Sequence, residues 1–470
     1  MSESIKSGGP DADRSAAGDL DKAAITRPIA AFAAGLDLQQ VPEDVRTFAR
    51  HCLLDFFAVT LAGCHDQTGL IVLEEARERG SSPQAGLIGH AGRFSALDAA
   101  LINGTFSHAL DYDDVNFNMP GHPTVAVAPA ALALAQRLGK GGKALLAAFI
   151  AGVETECRVG RYVTREQYLR GFHATGTVGT FGAAAACAHL HGMDAERTAT
   201  SLGIAAAQAA GLKSLFGTMC KPLHAGKAAA NGVYAADLAA RGFTSRADVL
   251  ECEQGFADTH TPERNPAMAL EGLGTRWLTP ATLFKFHAAC YGTHASIEAA
   301  AKLRRERGVT PERIKRIDVH VPRGNLRMCN IEQPRTGLEA KFSLRHTTAM
   351  ALADVSTAST DAYNEQSCLD PTLTALREKT WVVGADELGE AISDVMITLD
   401  DGVVFRERGD MSVPYTDMAL QESRLKDKFI ALVEPVLGQQ RCDELAERLL
   451  GIESEQDLHA LTELSQLRKD

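Results

Sequence analysis

The 470-residue chain carries 60 acidic residues against 48 basic ones, a formal net charge of −12. That charge repels a nucleic-acid backbone and leaves any anionic substrate to a locally positive site. Ten scattered cysteines without one Cys-x-x-Cys pair, and no apolar run of the roughly 18 residues a membrane span needs, exclude a disulfide scaffold, an iron–sulfur cluster and a membrane protein.

In chain order, residues 1–24 are polar and read as a disordered tail. Without a signal peptide, the expected location is cytoplasmic. Thr26-Arg27-Pro28 opens a helix with proline in its first turn. Pro42 opens a second through the apolar run 53–61. Ser95 and Asp98 fit a capping box before a helix over 99–108. Helices follow at 123–138, 142–159, 176–191, 194–211 and 225–241, several closed by glycine. Their alanine and glycine content implies close helix–helix approach, so a ligand site belongs in the loops between them. The texture changes near 270. A helix spans 295–307, a strand 316–321, and a helix 342–353. Two β-like runs flank Asp401-Gly402 within 394–408, and 421–467 is helical again. The expected fold is therefore mainly α. A large all-helical domain (25–269 and 411–470) receives an inserted, smaller α+β lid domain (270–410).

Four segments interrupt the helices with polar residues: 108–123, 171–176, 217–224 and 286–294. Each lies at a helix end, where free N–H groups favour anions. Histidine exchanges protons near neutral pH, and Lys221 can pair with a carboxylate. Any one of these histidines alone is more often a structural group that has found a partner. Asp113 and Asp114 could simply cap a turn, and His108 and Asp55 read as satisfied core groups. Repetition of glycine-flanked His or Lys at four junctions favours a site. Asp111-x-Asp113 starts like a calcium loop, but Val115 occupies the next ligand position. No His-Glu-x-x-His, Gly-x-Gly-x-x-Gly after a strand, or phosphate-binding loop occurs, so no metal or organic cofactor is expected.

The run Asn103-Gly-Thr-Phe-Ser-His-Ala-Leu-Asp-Tyr-Asp-Asp114 with Gly121-His-Pro123 resembles a signature of the MmgE/PrpD family. So do Gly171-Phe-His-Ala-Thr-Gly-Thr-Val-Gly179, Met219-Cys-Lys-Pro-Leu-His-Ala-Gly226 and Leu338-Glu-Ala-Lys-Phe-Ser343. The resemblance spans about 28–440. It implies a helical domain with a smaller lid, a cleft between them, a homodimer, and a cofactor-free site for a small polycarboxylate. Carried over by motif, the catalytic residues would be Asp111, His122, His173, Lys221 and His294. His224, Cys290, Lys341 and His346 would bind substrate. The family includes 2-methylcitrate dehydratases, iminodisuccinate epimerases and cis-aconitate decarboxylases. Val115 stands where the decarboxylases have threonine, and His346 where they have tyrosine; both weigh against decarboxylation.

All three reactions make a carbanion-like centre beside a carboxylate, which needs a base and stabilised enolate charge. Dehydration needs both an acid and a base, and four polar junctions offer several of each, so it is the first expectation. Epimerisation is the second and decarboxylation the third. A non-catalytic carboxylate-binding protein is the alternative of another class.

Overall fold

The computed structural model describes residues 24–467; the tail expected at 1–24 lies outside the described residues except for Ala24. The helices of eight or more residues begin with α1 (Thr26–Gly35), α2 (Glu43–Gly63), α3 (Gln67–Arg79), α4 (Ala96–His108) and α5 (Thr124–Arg137). Then come α6 (Gly142–Leu169), α7 (Ala174–Leu190), α8 (Ala195–Ala206) and α9 (Cys220–Ala240). After α10 (Tyr291–Arg307), α11 (Leu344–Leu352) and α12 (Pro371–Glu378), the chain closes with α13 (Met418–Leu437) and α14 (Gln439–Leu450). The caps follow the sequence: Ser95 accepts from the Asp98 N–H at 3.1 Å and Asp194 from the Arg197 N–H at 2.8 Å. Helix α6 is interrupted at Thr164, whose φ of 55° is left-handed.

Helix α9 packs on α4 and on α7 almost without side chains. A Cβ on Gly104 of α4 would lie 2.8 Å from the Cα of Gly226 in α9, and a Cβ on Gly226 2.3 Å from the Leu101 carbonyl oxygen. These glycines are required by close approach rather than by backbone conformation. A single methyl here overpacks the contact, at a cost of about 1–3 kcal/mol. The result is a dense layer whose helix ends, and not its interior, are open to a ligand.

In the later part of the chain, β3 (Ile314–Pro322), β4 (Thr380–Ala385), β5 (Ile392–Leu399) and β6 (Val404–Asp410) form a four-stranded sheet in the order β4-β3-β5-β6. β3 and β4 are parallel, joined by a crossover through α11 and α12, while β5 pairs antiparallel with β3 and β6. Helix α10 covers the sheet, meeting β6 at Gly409, where a Cβ would lie 2.0 Å from the Ala295 carbonyl oxygen. Helix α13 then packs back on α2.

One expectation needs correction. The chain is mixed α/β, though mainly helical, and the expected all-helical part is not all helix. Residues Ala85–Gly86 (β1) and Arg93–Phe94 (β2) pair antiparallel within it. Gly89 and Gly92 adopt φ of 81° and 105° in the connection, a turn that an L side chain would resist. With two residues per strand, neither leaves a readable alternation. β4 was also unforeseen; its Thr-Trp-Val-Val run is rich in β-formers but follows directly on a helix. Among the described residues, no single helix is long and apolar enough to cross a membrane.

Candidate active site

The loop 109–123 between α4 and α5 is the centre of the site. Its fold is set by a two-residue antiparallel bridge, in which Val115 N–H donates to the Leu283 carbonyl at 2.9 Å and Leu283 N–H to the Val115 carbonyl at 2.7 Å. Two residues on in opposite directions, this register sets Lys285 beside the Asp111–Asp113 segment. Asp111 adopts a φ of 51°, rare for a residue with a Cβ. Asp114 turns away and caps α5, accepting from the Thr124 N–H and hydroxyl. The Glu154 carboxylate accepts from the N–H groups of Leu278 and Thr279, both at 2.7 Å, which anchors the helical turn Thr279–Ala281 leading to Leu283.

Asp111 is gripped by two ammonium groups: Lys221 Nζ lies 2.7 Å from Oδ2 and Lys285 Nζ 2.8 Å from Oδ1. The side chain of Lys285 is 3% exposed, whereas that of Asp111 is 42% exposed, so the carboxylate is partly open to solvent above a buried ammonium group. Lys221 and His224 come from the first turn of α9, three residues apart and on one face. Beside the Asp111 carboxylate runs a row of imidazoles. His108 Nδ1 lies 2.9 Å from Asp113 Oδ2, and His122 Nδ1 3.0 Å from the same oxygen. The second approach is off the hydrogen-bond direction. Ring centroids of His108 and His122 are 4.6 Å apart, those of His108 and His173 5.8 Å, and those of His173 and His224 5.2 Å. His173 precedes α7 without capping it, which frees its Nδ1 to meet His224 Nδ1 at 3.0 Å. One ring must donate there and the other accept, so the two carry different tautomers.

Burial sets the proton affinities. It pushes the His108 imidazole down to about 4, against the pull of Asp113. His173 is lowered well below the usual value, by burial first and then by neighbouring positive groups, and His224 is lowered by burial. Burial pushes the carboxyls the other way. For Asp111 it is outweighed by Lys221 and Lys285, and for Asp113 by His108 and His122, so both are held well below the carboxylate range. Near neutral pH, the site thus holds Asp111 and Asp113 ionised, with neutral imidazoles at His108 and His173.

Of the residues expected from sequence, the structure brings Asp111, His122, His173, Lys221 and His224 together. It adds His108, Asp113 and Lys285. His108 was read as a core group; it is buried, but its Nε2 has no hydrogen-bond partner and its ring joins the row. Lys285 has no motif; the available signal is a charge inside the apolar run Leu283-Phe284-Lys285-Phe286. His294 turns back into its own turn, with Nε2 3.1 Å from the Ala289 carbonyl oxygen, and its ring packs on His287 and Tyr291. His346 is engaged by Arg377, which donates to Nδ1 at 2.9 Å. Lys341 lies 5.8 Å over the Tyr363 ring, and burial lowers its proton affinity. No hydrogen bond, ion pair or ring contact links His294, His346 or Lys341 to the Asp111 cluster among the described residues. The Cys290 thiol sits against Cys329, whose hydrogen bond leads the causes that lower its pKa, with the charges of Lys285 and Asp111 felt alongside.

Among the described residues, His108, Asp111, Asp113 and His122 form a group whose donor atoms lie within 4.8 Å of one another and could hold a metal ion. The donor set argues otherwise. Asp111 spends both oxygens on ammonium groups, and a divalent ion would have to displace them. These residues fit a proton-transfer network better than a cation.

Comparison with known proteins matches the description MmgE/PrpD N-terminal domain to residues 27–269 and MmgE/PrpD C-terminal domain to residues 287–452. The chain is 27% identical over 460 residues to a cis-aconitate decarboxylase of Homo sapiens, covering 94% of each chain. It is 26% identical over 462 residues to that of Mus musculus, covering 94% of this chain and 93% of the relative. With the enzyme of the same name from Aspergillus terreus it shares 26% identity over 474 residues, covering 94% and 96%.

Proposed function

The chain belongs to the MmgE/PrpD family, and on that premise we propose that it is a lyase that makes a carbanion beside a carboxylate of a small polycarboxylic acid. The observation that carries this reading is the open carboxylate–lysine floor of Asp111, Lys221 and Lys285 beside the imidazoles of His108, His122, His173 and His224. The floor can hold substrate carboxylates, and the imidazoles can move protons at the adjacent carbon.

Decarboxylation of a cis-aconitate-like acid is the first reading, supported by the names of the relatives over nearly the whole chain. The bond between the carboxylate and its carbon breaks, carbon dioxide leaves, and the electron pair stays on the substrate. That charge spreads toward a remaining carboxylate near Lys221 and is quenched on carbon by a proton from an imidazole. In the free site burial keeps His108 and His173 neutral. The anionic substrate raises their proton affinity, so proton uptake accompanies binding.

Dehydration is the second reading, favoured by Val115 and His346, which depart from the decarboxylase pattern, and by the acid–base pairing of His173 with His224. One imidazole takes the C–H proton, the pair forms the double bond, and hydroxide leaves as water with a proton from another. A lid at 270–410 that closes over the helical part, and a homodimer, belong to the same proposal.

The test is incubation with cis-aconitate, 2-methylcitrate and iminodisuccinate in D2O, followed by NMR. Carbon dioxide release with one deuterium on carbon supports the first reading, and loss of water the second. Binding without any bond change or deuterium exchange refutes the enzyme reading.

A further inference from the structure

Helix α13 reaches both halves of the site from behind. Arg424 and Lys428 are four residues apart on it and therefore share a face. The Lys428 ammonium is buried, with its side chain 2% exposed. It donates to the Tyr112 carbonyl at 2.9 Å, lies 2.6 Å from Asp55 Oδ1, and stands 4.1 Å over the Tyr112 ring. Tyr112 is the residue between Asp111 and Asp113, and its hydroxyl donates to the Ala358 carbonyl at 3.2 Å. One turn earlier, the Arg424 guanidinium lies 4.0 Å over the Phe286 ring and pairs with Glu298. Glu298 Oε1 in turn lies 3.1 Å from His287 Nε2. The two grips straddle the Lys285–Asp111 pair.

Stability alone does not explain a lysine at this position. A buried ion pair must repay the desolvation of both charges, and an apolar pair of the same volume is often as stable. The left-handed backbone of Asp111, by contrast, persists only where its surroundings over-determine it. A donor on the next carbonyl and a cation on the next ring supply that constraint.

We propose that Lys428 is a positioning residue: through the Tyr112 peptide it sets where Asp111 and Asp113 present their carboxylates, while Arg424 on the same helix face holds the segment that carries Lys285. The role rests on the lyase reading only in what it positions the carboxylates for.

The experiment compares the full-length protein with Lys428→Met, Lys428→Arg and the double variant Asp55→Asn/Lys428→Met. The single methionine variant strands the Asp55 charge and is expected to melt lower. The double variant removes both charges and is expected to recover the melting temperature while kcat stays about 10²-fold down, the scale of an ångström-level misplacement, with little change in KM. The arginine variant keeps the charge in a different place; it is expected to fold and still lose kcat. Recovery of kcat together with stability in the double variant, or unchanged kcat in the arginine variant, overturns the proposal. Should the unmodified protein turn over no polycarboxylate, the lyase reading falls and the positioning role is decided by NMR of 15N-labelled histidines. Displaced His108 and His122 resonances in the double variant then uphold it, and unmoved ones overturn it.

Discussion

Replacing Lys285 by methionine tests the charge logic of the site most directly. Methionine keeps much of the volume of this 3% exposed side chain and removes only its charge and donors. Asp111 then loses the contact at 2.8 Å on Oδ1 and a second bond to its own carbonyl, and keeps the Lys221 ammonium and the more distant His122 ring. A hydrogen bond to a charged group contributes roughly 1.5–3 kcal/mol, and each 1.4 kcal/mol is tenfold, so kcat/KM should fall by about 10- to 10²-fold. Burial pushes the Lys285 pKa down, but Asp111 and Asp113 outweigh it and the net shift is upward from 10.5. A raised cation gives its full contribution below the unfolded value and loses it only as pH rises through the folded one. The defect should therefore be constant from about pH 6 to 9. Steady-state kinetics at three pH values, with thermal melts to check folding, read this out. An unchanged kcat/KM in a folded variant, or a defect that disappears at one end of that range, refutes the reasoning.

Burial, and then the Asp55 charge, push Asp114 up to about 8. The folded protein thus holds a proton that the unfolded chain releases above 3.8, and stability falls as pH rises across that window, at up to about 1.4 kcal/mol per unit. Asp114→Asn should flatten this slope in pH-dependent melts; parallel slopes would show that the carboxyl is ionised in the fold. His108 acts oppositely, since burial lowers it to about 4, and its share of stability is lost as pH falls from 6.5. Binding of a polycarboxylate should take up protons, measured by calorimetry in two buffers of different ionisation enthalpy, and a buffer-independent heat speaks against the imidazoles as proton carriers. Activity should survive EDTA; its loss, reversed by one added metal ion, would return the His108–Asp111–Asp113–His122 group to the metal ligands.

The sequence made the helices up to 240 readable because small residues recur there on packing faces and polar residues end them. It left β1 and β2 unread, since two residues per strand carry no alternation. Asp111, His122, His173 and Lys221 were named from the family motifs that lie at helix ends, and the structure places them side by side. Lys285 was not, because its place depends on the Val115–Leu283 bridge, a pairing across more than 160 positions. Burial of His108 and Asp55 was foreseen but their partners were not: Asp113 is nearby in sequence, whereas Lys428 arrives from the far end of the chain. His294 looked equivalent to the other histidines until the turn before α10 supplied the Ala289 carbonyl for its ring.

Gly104 and Gly226 touch backbone to backbone one turn or less from His108, which ends α4, and His224, near the start of α9. The spacing of the two helices that carry those imidazoles is consequently gauged by main-chain thickness, while the His173 ring fills the row between them. An alanine at Gly226 leaves every reacting group chemically intact yet wedges the two helix ends apart. One extra methyl in the layer beneath is therefore a change to the site itself, although it touches no reacting group.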